Sequence, residues 1–316
     1  MTVSSPQRMP AFADPLQPSR PRNYGSAHED PSDAYQGVPI LQQPAWHHEV
    51  AAYFYLGGIS SGAFILGTLA DLSGPKWRPL AETAHLVAFA AMVPCAPLLI
   101  ADLGMPSRFY HMLRIFKPSS PMNLGSWTLV VHSGFSTLLA AQVLAEWGRL
   151  PIFGAFARHL PSRILGAAGL LSGMTLGGYT GVLVGTTSVP VWSTSPMLGG
   201  LFMASAIATG TSAVSMASIL SSRDTLADRS ALGSISLVAG ASEMCLMGGY
   251  LATSGKAATP LLKGLDGALL LGAVTASASA LAVEITGKHA RTQSRVLSAL
   301  AAGATLAGGA MLRWAV

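Results

Sequence analysis

The sequence carries little charge. Only 10% of its 316 residues are Asp, Glu, Lys or Arg, whereas soluble domains carry roughly 25%. A chain with so little charge cannot cover a water-facing surface, which argues against an ordinary soluble enzyme. Hydrophobic residues make up 50% of the chain and its mean hydropathy is +0.46, so we expect lipid to surround most of it. The net charge of +5 is spread over short loops, a pattern that indicates membrane topology and not nucleic-acid binding.

Cysteine is also scarce. The two cysteines, Cys95 and Cys245, each lie alone in an apolar run. The sequence has no CxxC pair and no Cys/His cluster, which argues against an iron–sulfur cluster or a zinc site in this chain. We therefore interpret both cysteines as small core residues.

What the sequence does contain is a series of long apolar runs rich in Ala, Leu and Gly. They do not alternate in polarity as the strands of a membrane barrel do. In lipid every backbone amide and carbonyl must be paired within the protein, so such runs predict transmembrane helices. Each run has about the 20 residues that a span requires. The fold class we expect is an all-α integral membrane protein with eight spans, predicted at 51–71, 81–102, 125–146, 163–186, 197–220, 231–252, 265–285 and 296–315.

Residues 1–44 differ from everything that follows them. This stretch contains eight prolines and no apolar run, so we expect an extended or disordered tail. It lacks the apolar segment of a signal peptide.

The distribution of Lys and Arg predicts the orientation in the membrane. The loops between spans 1–2, 3–4, 5–6 and 7–8 contain ten of these residues. The opposite side has six, among them Arg313, besides three in the tail. The positive-inside rule then places the first set in the cytoplasm. Both termini, and the loop between spans 2 and 3, are expected on the periplasmic side.

The loop between spans 2 and 3 is the segment richest in chemistry. Asp102 ends an apolar helix, where a carboxylate is costly unless it is paired or hydrated, and Arg108 or Arg114 could pair with it. His111 can exchange protons near neutral pH. With its aromatic neighbours, the loop could provide the apolar slot, hydrogen-bond donors and proton-active groups that a quinone head group needs. An ordinary interfacial loop, whose Arg and Trp residues anchor the bundle, remains the alternative.

Two further polar residues lie inside predicted spans. His132 is about two turns into the third span, and it could serve a quinone, relay a proton or be a hydrogen-bonded core residue. Glu243, near the middle of the sixth span, must be neutral or paired, and a proton path and a helix-to-helix hydrogen bond both fit. An alternative function is a proton-conducting or transport module in which Glu82, His85 and Glu243 form a relay. His85 and His132 are expected near opposite membrane faces, too far apart to share a haem iron.

Three segments resemble a known family. They are the run DLGMPSRFYHMLRIFKPSSPMNLGSW at 102–127, YFYLGGISSG at 53–62, and YTGVLVGTTSVPVW at 179–192. In this order and spacing they resemble the NrfD/PsrC family, the membrane subunits of polysulfide- and nitrite-reductase-type complexes. The resemblance covers spans 1–4, about half of the chain. One departure is Met105, where many relatives carry Arg, so Arg108 and Arg114 would have to replace that cation.

The resemblance implies two four-helix bundles, here 45–190 and 191–316, with no redox cofactor bound to the chain. It implies a menaquinone or ubiquinone bound by the first bundle near the periplasmic face of the bacterial inner membrane. The partners it implies are an iron–sulfur subunit and a molybdopterin catalytic subunit. The residues it points to are Tyr53 and the 102–114 segment; Tyr53 lies about one turn inside the span, at the depth of Asp102. A purely structural anchor is the remaining alternative, and the substrate of the catalytic partner stays open.

Overall fold

The computed structural model describes residues 34–35, 38–39, 46, 48–103, 105–149, 161–289 and 294–316. The chain divides into two units, 1–44 and 45–316. Within the first unit, strands β1 (Ala34–Tyr35) and β2 (Val38–Pro39) pair in antiparallel fashion. The other residues of the predicted tail lie outside the described part of the chain.

The prediction of eight membrane-spanning helices is confirmed. The described residues include eight helical segments that are long and apolar enough to cross a membrane. All begin and end within a few residues of the predicted limits, because apolar runs end where loops become polar. The α-helices are α1 (His48–Leu72), α2 (Arg78–Met92), α3 (Cys95–Asp102), α4 (Pro121–Glu146), α5 (Ser162–Gly185), α6 (Pro190–Ser193), α7 (Leu198–Leu220), α8 (Leu226–Ser254), α9 (Gly264–His289) and α10 (Arg295–Ala315). Short 3-10 helices cover Pro75–Trp77, Pro106–Leu113, Gly255–Ala258 and Pro260–Leu262.

Two spans differ in detail from the prediction. The second is divided into α2 and α3, because Pro94 and Pro97 lack the amide hydrogens that an unbroken helix would use. The sixth begins five residues earlier than predicted, at Leu226. There Thr225 and Asp228 form a capping box in which each side chain binds the other residue's backbone amide, which stabilises the first turn.

The helices form two rings of four spans. In the first bundle, α1, the α2/α3 span, α4 and α5 pack against one another in sequence, and α5 returns to α1. In the second bundle, α7, α8, α9 and α10 do the same, with α10 returning to α7. The two bundles meet mainly through α1 and α7.

Glycines allow this central contact between α1 and α7. A Cβ atom at Gly62 would collide with the backbone of Ala206, and one at Gly210 would lie 2.5 Å from the amide nitrogen of Ala63. Small residues let transmembrane helices approach this closely, and the close approach is what gives the two helices their packing energy. Gly62 and Gly210 are therefore packing positions of the bundle interface.

We expect Gly62→Leu to separate α1 from α7 and to destabilise the protein by about 1–3 kcal/mol, the usual cost of overpacking. The measurement is the thermal unfolding midpoint of the purified protein in detergent. Gly134→Leu is the matched control, because a Cβ at Gly134 meets no atom within 4 Å. Equal midpoints for the two variants would contradict this packing role.

Candidate functional site

The first bundle contains an apolar cavity at the end where α1 begins. Its volume is about 80 Å³. It lies between α1, α3, α4 and α5, with the 3-10 helix Pro106–Leu113 beside it. The side chains around it are mainly aliphatic and aromatic, and Asp102 is the one acidic residue among them. The lining residues are Trp46, Val50, Tyr53, Phe54, Leu99, Asp102, Leu103, Met112, Met122, Gly125, Ser126, Tyr179 and Leu183.

Two tyrosines line the cavity. Tyr53, in the second turn of α1, is only 2% exposed. Tyr179 comes from α5, and its hydroxyl donates a hydrogen bond to the carbonyl of Pro121. Gly125 makes this possible, because a Cβ there would collide with the Tyr179 ring. Sequence reasoning placed Tyr179 in a family motif but did not identify it as a site residue.

Tryptophan side chains extend the aromatic wall. Trp46 stacks on Trp192, with ring centroids 6.1 Å apart and planes 15° apart. Trp46 also meets the edge of Phe54 at 6.5 Å. Trp192 belongs to the same motif as Tyr179, so this motif contributes to the site from both ends.

Of the predicted quinone-binding residues, the structure brings Tyr53 and Asp102 to one cavity. Asp102 lies half-buried at the last residue of α3. Arg108, His111 and Arg114 are exposed, on or directly after the 3-10 helix, and are not part of the cavity lining. The five residues were predicted to surround one ligand, but these three side chains do not line the cavity. Their role in binding stays a prediction.

Asn123 fixes the orientation of this 3-10 helix. Its side-chain amide donates hydrogen bonds to the carbonyl oxygens of Met112 at 2.7 Å and Ile115 at 2.9 Å. Its side-chain oxygen accepts one from the backbone amide of Lys117 at 2.7 Å. These bonds hold Met112 against the cavity while the basic residues point outward. Sequence reasoning did not identify Asn123, although an Asn within a Pro- and Ser-rich loop often bonds to nearby backbone in this way.

The cavity is smaller than most ligand pockets, which measure roughly 300–1,000 Å³. A ring-sized ligand therefore requires part of the lining to move. Met112 and Met122 are suited to this because the methionine side chain is unbranched and flexible. Met122 is 56% exposed, so it can turn outward without disturbing the core.

His132, a predicted proton-transfer residue, lies deeper in the first bundle and does not line the cavity. It is fully buried, with Nε2 at 3.2 Å from Ser60 Oγ and Nδ1 at 3.4 Å from Ser172 Oγ. The expectation that His85 and His132 lie near opposite faces is wrong. Both rings contact Phe64 of α1, with centroid distances of 6.0 Å and 4.9 Å, so both lie at neighbouring depths inside the first bundle.

Glu243, the other proton-transfer candidate, is buried in the second bundle, 4% exposed. It shares a hydrogen-bonded cluster with Ser205 and is close enough to Arg313 for a charge interaction. Arg313 Nη1 donates to Ser205 Oγ at 2.9 Å, and Nη2 donates to the carbonyl of Phe202 at 3.2 Å. Glu243 thus has a hydrogen-bond partner on α7, which fits the helix-to-helix hydrogen bond considered for its position in the span.

Arg313 was counted among the peripheral cations, and the structure corrects this assignment. It is 4% exposed, and its guanidinium carbon lies 4.3 Å from the Phe202 ring centroid. The proposed relay of Glu82, His85 and Glu243 is also not assembled. Glu82 bonds to Trp147 Nε1 at 3.0 Å in the first bundle, whereas Glu243 belongs to the second.

The cysteines follow the prediction in part. Cys95 is buried, but Cys245 is exposed because α8 turns this residue away from the bundle interior. Within the described ranges, no group of three or more His, Cys, Asp and Glu side chains is arranged to hold a metal ion.

The fold and the cavity define a class: a multi-pass helical membrane protein with a small apolar cavity inside its first bundle. Comparison with known proteins gives the family. A family model described as "Polysulphide reductase, NrfD" matches residues 38–316, and the chain belongs to this family. The membership agrees with the resemblance carried by the three motifs.

Two curated relatives are similar over part of their length. The C chain of the polysulfide reductase from Wolinella succinogenes is 29% identical over 179 residues, which cover 53% of the present sequence and 56% of that protein. The C subunit of the selenate reductase from Mesobacillus selenatarsenatis is 24% identical over 211 residues, covering 57% of the present sequence and 49% of that protein. The chain thus spans about half the length of the curated relatives it matches.

Proposed function

We propose that the protein is the quinone-binding membrane anchor subunit of a multi-subunit oxidoreductase. In this proposal a menaquinone or ubiquinone binds in the cavity between α1, α3, α4 and α5. The observation that supports it is the presence of Tyr53 and Asp102 in one apolar cavity of the first bundle. The names of the two relatives, subunits of polysulfide and selenate reductases, support a place in a reductase complex.

The cavity offers the groups that quinone chemistry requires. Flat aromatic and aliphatic walls suit the ring, and the Tyr53 hydroxyl can donate a hydrogen bond to a quinone oxygen. Oxidation of a quinol releases two electrons and two protons, and reduction of a quinone takes up the same number. We propose that Asp102, half-buried at the edge of the cavity, exchanges these protons with water.

The electrons pass to or from a partner that carries an iron–sulfur cluster, because the chain has no cluster motif of its own. We propose that this partner docks on the 3-10 helix Pro106–Leu113 and the residues after it. There Arg108, His111 and Arg114 are exposed beside Phe109 and Phe116, a basic and aromatic surface next to the cavity. A molybdopterin subunit beyond it would carry out the substrate chemistry.

The lysine and arginine distribution supports a periplasmic position for the cavity. Arg313 is buried, so the cavity side has one peripheral cation fewer than the sequence count suggested. The bias toward the opposite side is therefore larger, and it supports a cytoplasmic position for that side in the bacterial inner membrane.

The test is a titration of the isolated chain in lipid nanodiscs with a short-chain menaquinone, followed by quenching of tryptophan fluorescence. Trp46 lines the cavity and would report binding directly. Tyr53→Phe should weaken binding about two- to twelvefold, the effect of removing a hydrogen bond worth roughly 0.5–1.5 kcal/mol. Unchanged affinity, or absence of binding by the wild-type protein, would overturn the proposal.

Asp102→Asn tests the proton role separately. We expect this variant to bind the quinone but to lose most of its turnover in the assembled complex, because an amide cannot exchange a proton. The matched control is Asp266→Asn, which changes an exposed carboxylate in the first turn of α9 at the same end of the molecule. Normal turnover in Asp102→Asn would remove Asp102 from the proposed mechanism.

A further inference from the structure

Polar side chains occupy the interior of the first bundle on the side away from the cavity. At the far end, Arg78 donates hydrogen bonds to Asp71 at 3.1 Å and to Glu146 at 2.6 and 2.7 Å. One layer deeper, His85 Nε2 lies 3.0 Å from the other oxygen of Asp71. Deeper still lies His132 with its two serine partners. A line of polar groups therefore leads from the Arg78 end to the middle of the bundle.

Three polar atoms along this line have no hydrogen-bond partner among the described residues. They are Thr68 Oγ1, His85 Nδ1 and Ser136 Oγ. Each belongs to a side chain that is at most 2% exposed. They lie on three different helices, α1, α2 and α4, and their side chains occupy the depth between Asp71 and His132.

Hydroxyls elsewhere in the same bundle behave differently. Ser133 bonds to the carbonyl of Leu129 at 2.7 Å, and Thr175 bonds to that of Leu171 at 2.8 Å. This bond to the preceding turn is the usual way in which a hydroxyl in a transmembrane helix is satisfied. Thr68 and Ser136 do not make it, so their hydroxyls are directed toward another partner inside the bundle.

An unsatisfied buried polar group is energetically costly. Three such groups at neighbouring depths point to a shared ligand that is small and both donates and accepts hydrogen bonds. Internal water has these properties and typically makes about three hydrogen bonds to such groups.

The polar line ends at His132. One turn closer to the cavity, the bundle is closed by Met92, Leu129 and Leu176, which are at most 6% exposed. These side chains belong to the same hydrophobic cluster as Tyr53. Thr128 and Thr180 are also buried near this layer, but no hydrogen bond recorded among the described residues links the His132 level to the cavity through them.

We propose that the first bundle contains a dead-end, water-filled path, open at the Arg78 end and closed toward the cavity by the Met92–Leu129–Leu176 layer. It admits water and protons as far as His132. A proton entering from bulk water would pass along the internal water and the imidazole of His85. No electron transfer is involved, and the path exists whether or not a quinone binds.

The entrance is the charged cluster at the far end. Arg78 and Glu146 are 32% and 40% exposed, so this cluster is in contact with bulk water. The ionisable groups near His85 are Asp71 from α1 and, at the entrance, Arg78 and Glu82 from α2 and Glu146 from α4. Arg223, beyond the end of α7, approaches Glu82 at 3.8 Å.

The experiment is cysteine accessibility in the full-length protein, reconstituted in vesicles, with the native cysteines changed by Cys95→Ala and Cys245→Ala. Thr68→Cys and Ser136→Cys place a thiol on the proposed path. The reagent is methanethiosulfonate ethylammonium, which is small and water-borne, applied from one side at a time. We expect both thiols to react at least tenfold faster than the thiol of Leu176→Cys in the apolar layer.

Sidedness completes this test. Ser73→Cys, exposed at the Arg78 end, and Met122→Cys, exposed at the cavity end, report which face the reagent has reached. The path thiols should react only from the side that labels Ser73→Cys. Reaction no faster than that of Leu176→Cys, or reaction from the Met122 side, would overturn the proposal.

A second measurement uses the unmodified protein. Hydroxyl radicals generated by X-rays from internal water label the side chains next to it. Phe64, which is fully buried between His85 and His132, should be labelled several times faster than Phe202, which is equally buried in the second bundle. Equal rates would overturn the path even if the cysteine variants fail to fold. Neither measurement depends on quinone binding, so the two proposals fail independently.

Discussion

Replacing Arg313 by Met should destabilise the protein by about 1–3 kcal/mol, the usual cost of leaving a buried hydrogen-bonding group without its partner. The guanidinium lies fully inside the protein and bonds to Ser205 and to the carbonyl of Phe202. Its removal would leave Ser205 without this donor and would also take away a buried positive charge that acts on the Glu243 carboxylate. The expected result is a large fall in the thermal unfolding midpoint in detergent and low yield from the membrane.

The double variant Arg313→Met/Glu243→Gln tests the cause of this loss. If the cost comes from the uncompensated carboxylate, neutralising Glu243 should recover most of the stability, since both charges are then gone. Arg223→Met is the control for an arginine at the periphery, because Arg223 is 42% exposed. A double variant no more stable than Arg313→Met would show that packing of Arg313 on Phe202 dominates instead.

The Arg313 cluster also supports the cavity from behind. Phe202, over which the guanidinium lies, meets the edge of Phe54 with centroids 6.3 Å apart. Phe54 in turn lines the cavity and contacts Tyr53. Loss of Arg313 is therefore expected to disturb quinone binding as well as stability, although Arg313 does not itself line the cavity.

The eight spans could be predicted because they depend on a simple property, an apolar run of sufficient length between polar loops. The rotation of each helix about its axis could not. Arg313 lies near the end of its span, where a cation usually extends to the interface. Only the packing of α10 against α7 turns it inward. Cys245 was misplaced for the same reason, because its run gave no signal of which face contacts lipid.

The candidate site was predictable to a similar extent. Tyr53 and Asp102 were paired by their depth in adjacent spans, which follows from helix rise alone. Arg108, His111 and Arg114 point outward because of the 3-10 helix and its hydrogen bonds to Asn123. The positions of spans and loops along the sequence do not determine these bonds. Tyr179 enters the cavity because Gly125 lies opposite it, a pairing between two helices that one sequence does not reveal.

A cavity-filling substitution should have the largest effect on function. Leu183 lines the cavity from α5, and Leu183→Trp would place an indole in the space that a quinone ring must occupy. We expect at least tenfold weaker quinone binding, equivalent to about 1.4 kcal/mol, in the nanodisc titration. Tyr53 and Asp102 are unchanged in this variant, so it tests the location of the ligand separately from its hydrogen bonds.

Val182→Trp is the matched control, because the neighbouring residue on the same helix is 54% exposed and points away from the cavity. Both variants add the same indole to α5, so effects on insertion and expression should be similar. Only Leu183→Trp competes with the ligand for space. If the two variants bind the quinone equally well and with wild-type affinity, the ligand lies elsewhere, and the cavity beside Tyr53 is a packing defect of the first bundle. If only Leu183→Trp loses binding, the ring must lie between α1 and α5, at the depth where Met112 and Met122 can move aside for it.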